Sequence, residues 1–497
     1  AMSLNNLAIR LAALGRPEDA LAAIAEAVDI RRELAAARPA AFRPDLASAL
    51  NNLSLRLADL GRPEDALAAV DEAVEVYREL AAARPAAFRP DLASALNNLS
   101  LRLADLGRPE DALAAVDEAV DIRRELAAAR PAAFRPGLAT SLNNLSVRLA
   151  ELGRREDALA AVAEAVGIRR ELAAARPDAF HPDLATSLNN LSLRLADLGR
   201  REDALAAIGE AVEVYRELAA ARPAAFRPDL ATSLNNLSLR LADLGRPEDA
   251  LAAIGEAVEV YRELAAARPA AFRPDLATSL NNLSVRLAEL GRREDALAAI
   301  GEAVEVYREL AAARPDAFRP DLATSLNNLS LRLADLGRRE DALAAIDEAV
   351  EVRRELAAAR PAAFRPGLAG SLTNRSNTLA ELGRPEDALA AIGEAVEVYR
   401  ELAAARPAAF RPDLARALIA LGVRLTQLER FGEALAADRE AVLLYAVLNH
   451  SDPERFGQPL RGAQDNLAID LRDLGWSEER IRQELAQVLA AASEWPP

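Results

Sequence analysis

Asn-Asn recurs in this chain every 46 residues, at Asn51-Asn52, Asn97-Asn98, Asn143-Asn144, Asn189-Asn190, Asn235-Asn236, Asn281-Asn282 and Asn327-Asn328. Asn5-Asn6 keeps the phase upstream, and Thr373-Asn374 and Asp465-Asn466 keep it downstream in altered form. A fixed period of this size over nearly the whole length marks a solenoid, a stack of one small unit that cannot bury its apolar face alone. Function must then lie on a long surface made by stacking, or in the few units that break the pattern.

Each unit reads as two helices. From Asp183 to Leu198, Leu184, Leu188, Leu191, Leu195 and Leu198 recur at three- and four-residue steps, one face of a 3.6-residue helix. Pro182 suits the first helical position, Asp183 favours a helix N-terminus, and Gly199 suits the C-terminal stop. A second helix runs from Arg201 through Ala204, Leu205, Ile208, Ala211, Val212, Val214, Tyr215 and Leu218 to about Arg222, where Pro223 closes it. On this reading no proline falls inside a repeat helix. The linking segment Arg-Pro-x-Ala-Phe-Arg-Pro-Asp carries a Phe at the same phase from Phe42 to Phe410. A Phe repeated in a polar loop is expected to wedge between neighbouring units, contributing about 1.5–3 kcal/mol per junction.

Counting phases gives eleven units, hence an all-α α-solenoid of eleven helix-turn-helix units and 22 helices. The expected division is a regular array of nine 46-residue units over 1–412, then degenerate repeats and a C-terminal cap over 413–497. The fifth and sixth units differ only at Arg201 against Pro247.

The alignable core resembles the tetratricopeptide repeat. From Leu191 the chain places Ser192 where that motif has Gly and Leu195 where it has an aromatic, followed by Gly199, Ala204, Ile208 and Ala211 at the motif's spacings. Ten units resemble the family; the eleventh keeps Leu467 and Gly475 but loses the small residues. Arg216 stands where the motif's terminal Pro would be, so the second helix runs on and the unit reaches 46 residues. The long unit and its Pro-Asp-x-Ala-x-x-Leu-Asn-Asn-Leu phrase are similar to kinesin light chain repeats and long bacterial relatives. The resemblance implies a right-handed superhelix whose first helices line a concave groove that binds a peptide or protein.

Around the first helix, Leu188, Leu191 and Leu195 share one side, while Asn189, Leu193 and Ala196 share the other, flanked by Thr186, Asn190 and Asp197. The resemblance places this second stripe in the groove. Its candidate ligand contacts are Asn51, Asn97, Asn143, Asn189, Asn235, Asn281 and Asn327, with Leu193, Leu239 and Asn377. Asn offers donor and acceptor together, which suits bonding an extended backbone, and related solenoids use an Asn ladder in this way. Asn190 and its equivalents stand beside the core leucines, where bonding to the neighbouring helix is the competing expectation. Arg194 is expected to pair with Asp197 on the helix surface.

The ninth unit departs most, with Thr373-Asn374-Arg375-Ser376-Asn377-Thr378 in place of Asn-Asn-Leu-Ser-Leu-Arg. Arg375 takes a core leucine position, with Glu348, Glu381 and Glu394 as candidate partners; drift on one side and a specificity pocket or hinge on the other are the competing readings. After Arg416 the sequence diverges and places Trp476 and Trp495 in the last unit, as a capping repeat would. His181 and His450 are isolated, and lone histidines of this kind are rarely sites.

Composition narrows the function. The net charge of −16 is spread along the chain and lacks the basic stripe of nucleic-acid binders, so none is expected as a partner. All 61 basic residues are Arg, a bias expected of a high-GC bacterial genome. There is no Cys, no apolar run nears the ~18 residues of a membrane span, and no signal peptide precedes the first repeat. Expectations follow of a cytoplasmic protein that needs no metal or cofactor and touches no membrane. Ala1-Met2-Ser3 enters the first Asn-Asn helix abruptly, as a tagged cut from a longer protein would. Without Cys or Lys, and with carboxylates at helix starts, no catalytic constellation is visible and no enzyme activity is expected. The expected function is an interaction module, monomeric in isolation, serving as the sensing arm of a larger bacterial signalling or defence protein. The alternative is a self-associating scaffold, in which unit number sets length.

Overall fold

The computed structural model describes residues 2–492, and every element in that span is helical. The helices are α1 (Met2–Ala13), α2 (Pro17–Ala37), α3 (Pro39–Asp59), α4 (Pro63–Ala83), α5 (Pro85–Asp105), α6 (Pro109–Ala129), α7 (Pro131–Glu151), α8 (Arg155–Ala175), α9 (Pro177–Asp197), α10 (Arg201–Ala221) and α11 (Pro223–Asp243). They continue as α12 (Pro247–Ala267), α13 (Pro269–Glu289), α14 (Arg293–Ala313), α15 (Pro315–Asp335), α16 (Arg339–Ala359), α17 (Pro361–Glu381), α18 (Pro385–Ala405), α19 (Pro407–Gln427), α20 (Phe431–Ser451), α21 (Pro453–Asp473) and α22 (Glu478–Ala492). From α1 to α14, and again from α16 to α22, each helix packs on the next, and the fold is an α-solenoid of helix pairs. The chain divides into two compact units, Ala1–Ser325 and Leu326–Pro497.

The expected helix boundaries need correcting. The first helix of the fifth pair runs from Pro177, not Asp183, and Pro182 lies inside it; Pro44, Pro90, Pro136, Pro228, Pro274, Pro320, Pro366, Pro412 and Pro459 are likewise internal. The reason is local. A proline at 182 removes the donor to the carbonyl of Asp178, and Asp178 is exposed in the first turn, where water can take its place. One non-helical residue, Arg176, separates α8 from α9, and Pro177 opens the new helix.

The repeated Phe therefore sits in a helical first turn rather than a loop. Phe180 and Phe272 are buried, and the others from Phe42 to Phe410 are half-buried. The guanidinium four residues earlier lies over each ring, as Arg176 does over Phe180 at 4.8 Å and Arg222 over Phe226 at 4.7 Å. Phe134 packs against two successive core clusters, which is the wedge position.

Gly199 ends α9 with φ +73°, and the Arg200 amide bonds back to the Leu195 carbonyl at 2.9 Å. The tenth pair puts Glu429 in this left-handed position, at φ 58°. Leu188, Ile208 and Ala211 are fully buried, as the leucine and small-residue pattern requires. Trp476 packs against the C-terminal core cluster, whereas Trp495 lies outside the described residues.

Curvature follows from what joins neighbouring pairs. Within Ala1–Ser325, odd helices from α1 to α13 approach their next odd neighbours, and short Asn and Ser side chains span the gap. Even helices are bridged by long side chains instead, Arg170 to Glu210 and Arg216 to Glu256, each at 2.6 Å. The odd helices thus occupy the inner side of the curve. In this unit the path meets itself: a Cβ on Gly15 would lie 3.0 Å from the Cβ of Ala270, and one on Gly61 2.7 Å from the Ala317 amide.

Candidate functional site

Within Ala1–Ser325 the inner face of the odd helices carries the expected stripe, and the odd helices of Leu326–Pro497 repeat it at the same phase. Its apolar row is Ile9, Leu55, Leu101, Val147, Leu193, Leu239, Val285, Leu331, Val423 and Ile469, one per pair, broken only by Asn377. These side chains are left out of the core. Leu101 and Leu239 are each 41% exposed and Ile469 49%. Six of the ten exposed large hydrophobics among the described residues fall at this one phase, so the exposure is a property of the surface and not scatter. Leu193 is half-buried and Asn377 exposed.

The first Asn of each pair stands beside this row, and its amide is engaged across the stack. Asn97 donates to Ser141 at 2.8 Å and to the Ala93 carbonyl at 3.0 Å, and it accepts from Asn144 at 3.2 Å. Asn143 donates to Ser187 at 2.7 Å, Asn189 to Ser233 at 2.9 Å, and Asn235 to Ser279 at 2.9 Å. Asn51 accepts from Asn98 at 2.9 Å, and Asn189 and Asn235 accept more weakly from Asn236 and Asn282 at 3.5 and 3.4 Å. Both asparagines of the motif thus join neighbouring units, as the competing expectation for the second one held. Most first asparagines, Asn281 among them, remain half-buried, and Asn143 is buried. Asn143 Oδ1 is buried without a partner, whereas Asn97, Asn189 and Asn235 each accept one bond on Oδ1.

A second interlock lies beside the ladder. Arg194 pairs with Asp197 at 3.1 Å as expected, but it is half-buried rather than on the open surface, with 13% of its side chain exposed. Arg102, Arg148 and Arg240 repeat the arrangement. Partial burial pushes the Glu151 carboxyl up, against the pull of Arg148 and of Arg194 in the next pair. The charged row therefore runs between units too.

Sequence reasoning overlooked the residue that ties each pair to the kinked start of its first helix. Tyr215 reaches Thr186 at 2.8 Å and the Pro182 carbonyl at 3.2 Å, and Tyr261 and Tyr307 do the same one and two units on. Arg takes this position in other pairs: Arg123 bonds Ser94, and Arg169 pairs with Asp183 and Thr140. The signal was the alternation of Tyr and Arg at one phase, Tyr77, Tyr215 and Tyr261 against Arg31, Arg123 and Arg169.

In the ninth pair, Arg375 is half-buried and bonds Asp347 at 2.5 Å, not Glu348, Glu381 or Glu394. Nearby, small residues open a cavity of about 240 Å3. Gly370 stands where Thr186 does, Gly367 where Asp183 does, and Thr373 where Asn189 does. Arg353 donates to the Gly367 carbonyl and Ser371 hydroxyl, both at 2.6 Å, and Tyr399, Asp413 and Arg416 complete the lining. Asn327 receives both Ser371 and Asn374 on Oδ1, at 3.1 and 3.0 Å. That reverses the bond seen from Asn97 to Asn235, where the Asn donates to Ser.

A tetratricopeptide repeat profile matches residues 1–36, 46–82, 92–128, 138–183, 184–220, 230–266, 276–313, 322–358 and 368–404, well over half of the chain. The chain belongs to the tetratricopeptide repeat family. No curated protein matches it. Among solved structures, BtubC (BKLC) from P. vanneervenii is 22% identical over 50% of this chain and 92% of its own, with a TM-score of 0.41. A kinesin light chain-like protein of Podosopora anserina, with nearly identical TPR-like repeats, is 14% identical over 44% of this chain and 97% of its own, with a TM-score of 0.35. In this tetratricopeptide repeat protein, no described helix is long and apolar enough to cross a membrane.

Proposed function

We infer that the inner face of the odd helices binds an extended segment of a partner protein. The observation that carries this reading is the apolar row from Ile9 to Ile469, kept in ten of eleven pairs while contributing little to the core. Hydrophobic side chains held at one phase without burial are retained for contact with something else. Within Ala1–Ser325 the ladder from Asn51 to Asn235 ties the neighbouring pairs of that row together. Packed helices lie roughly 8–10 Å apart, close to the ~9.3 Å covered by three residues of an extended polyproline II strand. A ligand with an apolar side chain at every third residue matches the row.

Asn377 interrupts the row beside the ninth-pair cavity, which is sized for one side chain rather than a cofactor. Asp413 pairs with Arg416 in the lining, which leaves the Arg353 guanidinium as the excess charge, so an acidic ligand side chain is the best match. The module would serve as the sensing arm of a larger bacterial signalling or defence protein, in keeping with the all-Arg composition. A scaffold reading draws on the near-identity of the fifth and sixth pairs, and it requires self-association without ligand. Light scattering on the purified chain separates the two. To test the groove, short peptides selected from a random library are measured against the parent and a Leu193→Asp/Leu239→Asp variant. Loss of binding with unchanged circular dichroism supports the groove; equal affinity rejects it.

A further inference from the structure

Four positions in the tenth and eleventh pairs depart together from the repeat. Gly422 replaces the Ser192-type residue, Thr426 the Ala196 type, Asp438 the fully buried Ile208 type, and Asp470 the Arg194 type. The structure brings all four to one place. Asp438 and Asp470 are each 3% exposed, and the two carboxyl groups face one another across the α20–α21 contact closely enough for Asp470 to raise the Asp438 pKa. Thr426 donates to Asp470 Oδ1 at 2.9 Å. A Cβ on Gly422 would overlap the Asp438 carboxyl, so the glycine supplies the room an acid needs at an isoleucine site. Asp438 Oδ1 and Asp470 Oδ2 have no hydrogen-bond donor among the described residues.

Two buried carboxylates without a cation between them cannot both ionise at low cost; a shared proton converts their repulsion into a hydrogen bond. The surrounding helices offer no counter-charge. From α19 come Gly422 and Thr426, while Arg424 bonds Gln427 at 2.9 Å and feels Glu381. From α22 comes Glu484, which is held by Arg439 at 2.6 Å. Asp470 of α21 is the charge that acts on Asp438.

We propose that Asp438 and Asp470 form a proton-dependent latch, in which one shared proton holds the tenth and eleventh pairs together and its loss loosens α21 and α22. Loosening would uncover the apolar end of the array, where Ile481 belongs to the C-terminal hydrophobic core and Trp476 packs against it. Burial first, then the bond to Asp470 and its charge, push Asp438 from 3.8 up to about 8. The folded form therefore holds the proton more tightly than the opened form. Closure is strongest at low pH, weakens as pH climbs towards about 8, and is level above that. For one proton, the opening equilibrium rises by up to about tenfold per pH unit in that window.

Both tryptophans, Trp476 and Trp495, follow α20 in sequence, so their fluorescence reports this end of the chain. The test is urea unfolding followed by tryptophan emission at several pH values from about 6 to 8. His450, the histidine of this compact unit, is changed to Gln in all forms. The expected result is a midpoint that falls with pH in the parent but stays level in Asp438→Asn. It should also stay level in the full reversion Gly422→Ser, Thr426→Ala, Asp438→Ile and Asp470→Arg. A parent midpoint independent of pH, or an equal fall in Asp438→Asn, overturns the latch.

Discussion

Replacing Asn143, Asn189 and Asn235 with Ala distinguishes a structural ladder from a decorative one by the sign of a stability change. Three short bonds are lost, to Ser187, Ser233 and Ser279 at 2.7, 2.9 and 2.9 Å. Each nets about 1 kcal/mol, or about 3 kcal/mol together. The long contacts from Asn236 and Asn282, at 3.5 and 3.4 Å, add little. Against this, Ala is favoured over Asn in a helix by about 0.5 kcal/mol, returning about 1.5 kcal/mol for three sites. The variant should therefore be less stable by about 1.5 kcal/mol, where helix propensity alone makes it more stable by the same amount. Urea unfolding by far-ultraviolet circular dichroism reads the difference, with native helix content unchanged before the transition. A midpoint that rises would refute the ladder as the link between units.

Phe226→Ala removes a half-buried ring and its Arg222 stack, so a loss of about 1–2 kcal/mol is expected in the same assay, less than a fully buried aromatic would cost; an unmoved midpoint makes the ring a surface residue. Glu429→Gly should stabilise the tenth pair by about 1 kcal/mol, because Glu429 holds the left-handed φ of 58° that glycine adopts freely; unchanged thermal stability contradicts that assignment of strain. Arg375→Leu alone leaves Asp347 without its partner, so it should change stability by no more than about 0.5 kcal/mol. The double change with Asp347→Ala, the residue that Ala25 and Ala163 place at this phase, should be the more stable form, and a double-mutant cycle with no coupling removes the ion pair from the account.

Period, pairing and core were legible because they rest on residues whose roles are local. Gly199 needed a positive φ, Leu188 and Ile208 needed burial, and each announced itself at one phase. Pro182 misled because the rule against internal proline assumes a buried carbonyl, and the one it orphans faces water. The Asn ladder was half legible. Asn189 stood on the groove side of its helix, but its partner Ser233 lies 44 residues away, a pairing that helix periodicity does not show. Asp438 was illegible for the same reason: an acid at the Ile208 phase reads as decay until Gly422, Thr426 and Asp470 are found around it.

The central claim is that ligand lies along the inner face, and photo-crosslinking tests it most directly. A benzophenone side chain placed at Leu239 of the inner row, or at exposed Glu213 on the outer helix α10, is irradiated with a library-selected peptide. The account predicts crosslinking from position 239 that unlabelled peptide competes away, and none from position 213. Capture at position 213 with none at 239 would place the ligand on the even helices and contradict it.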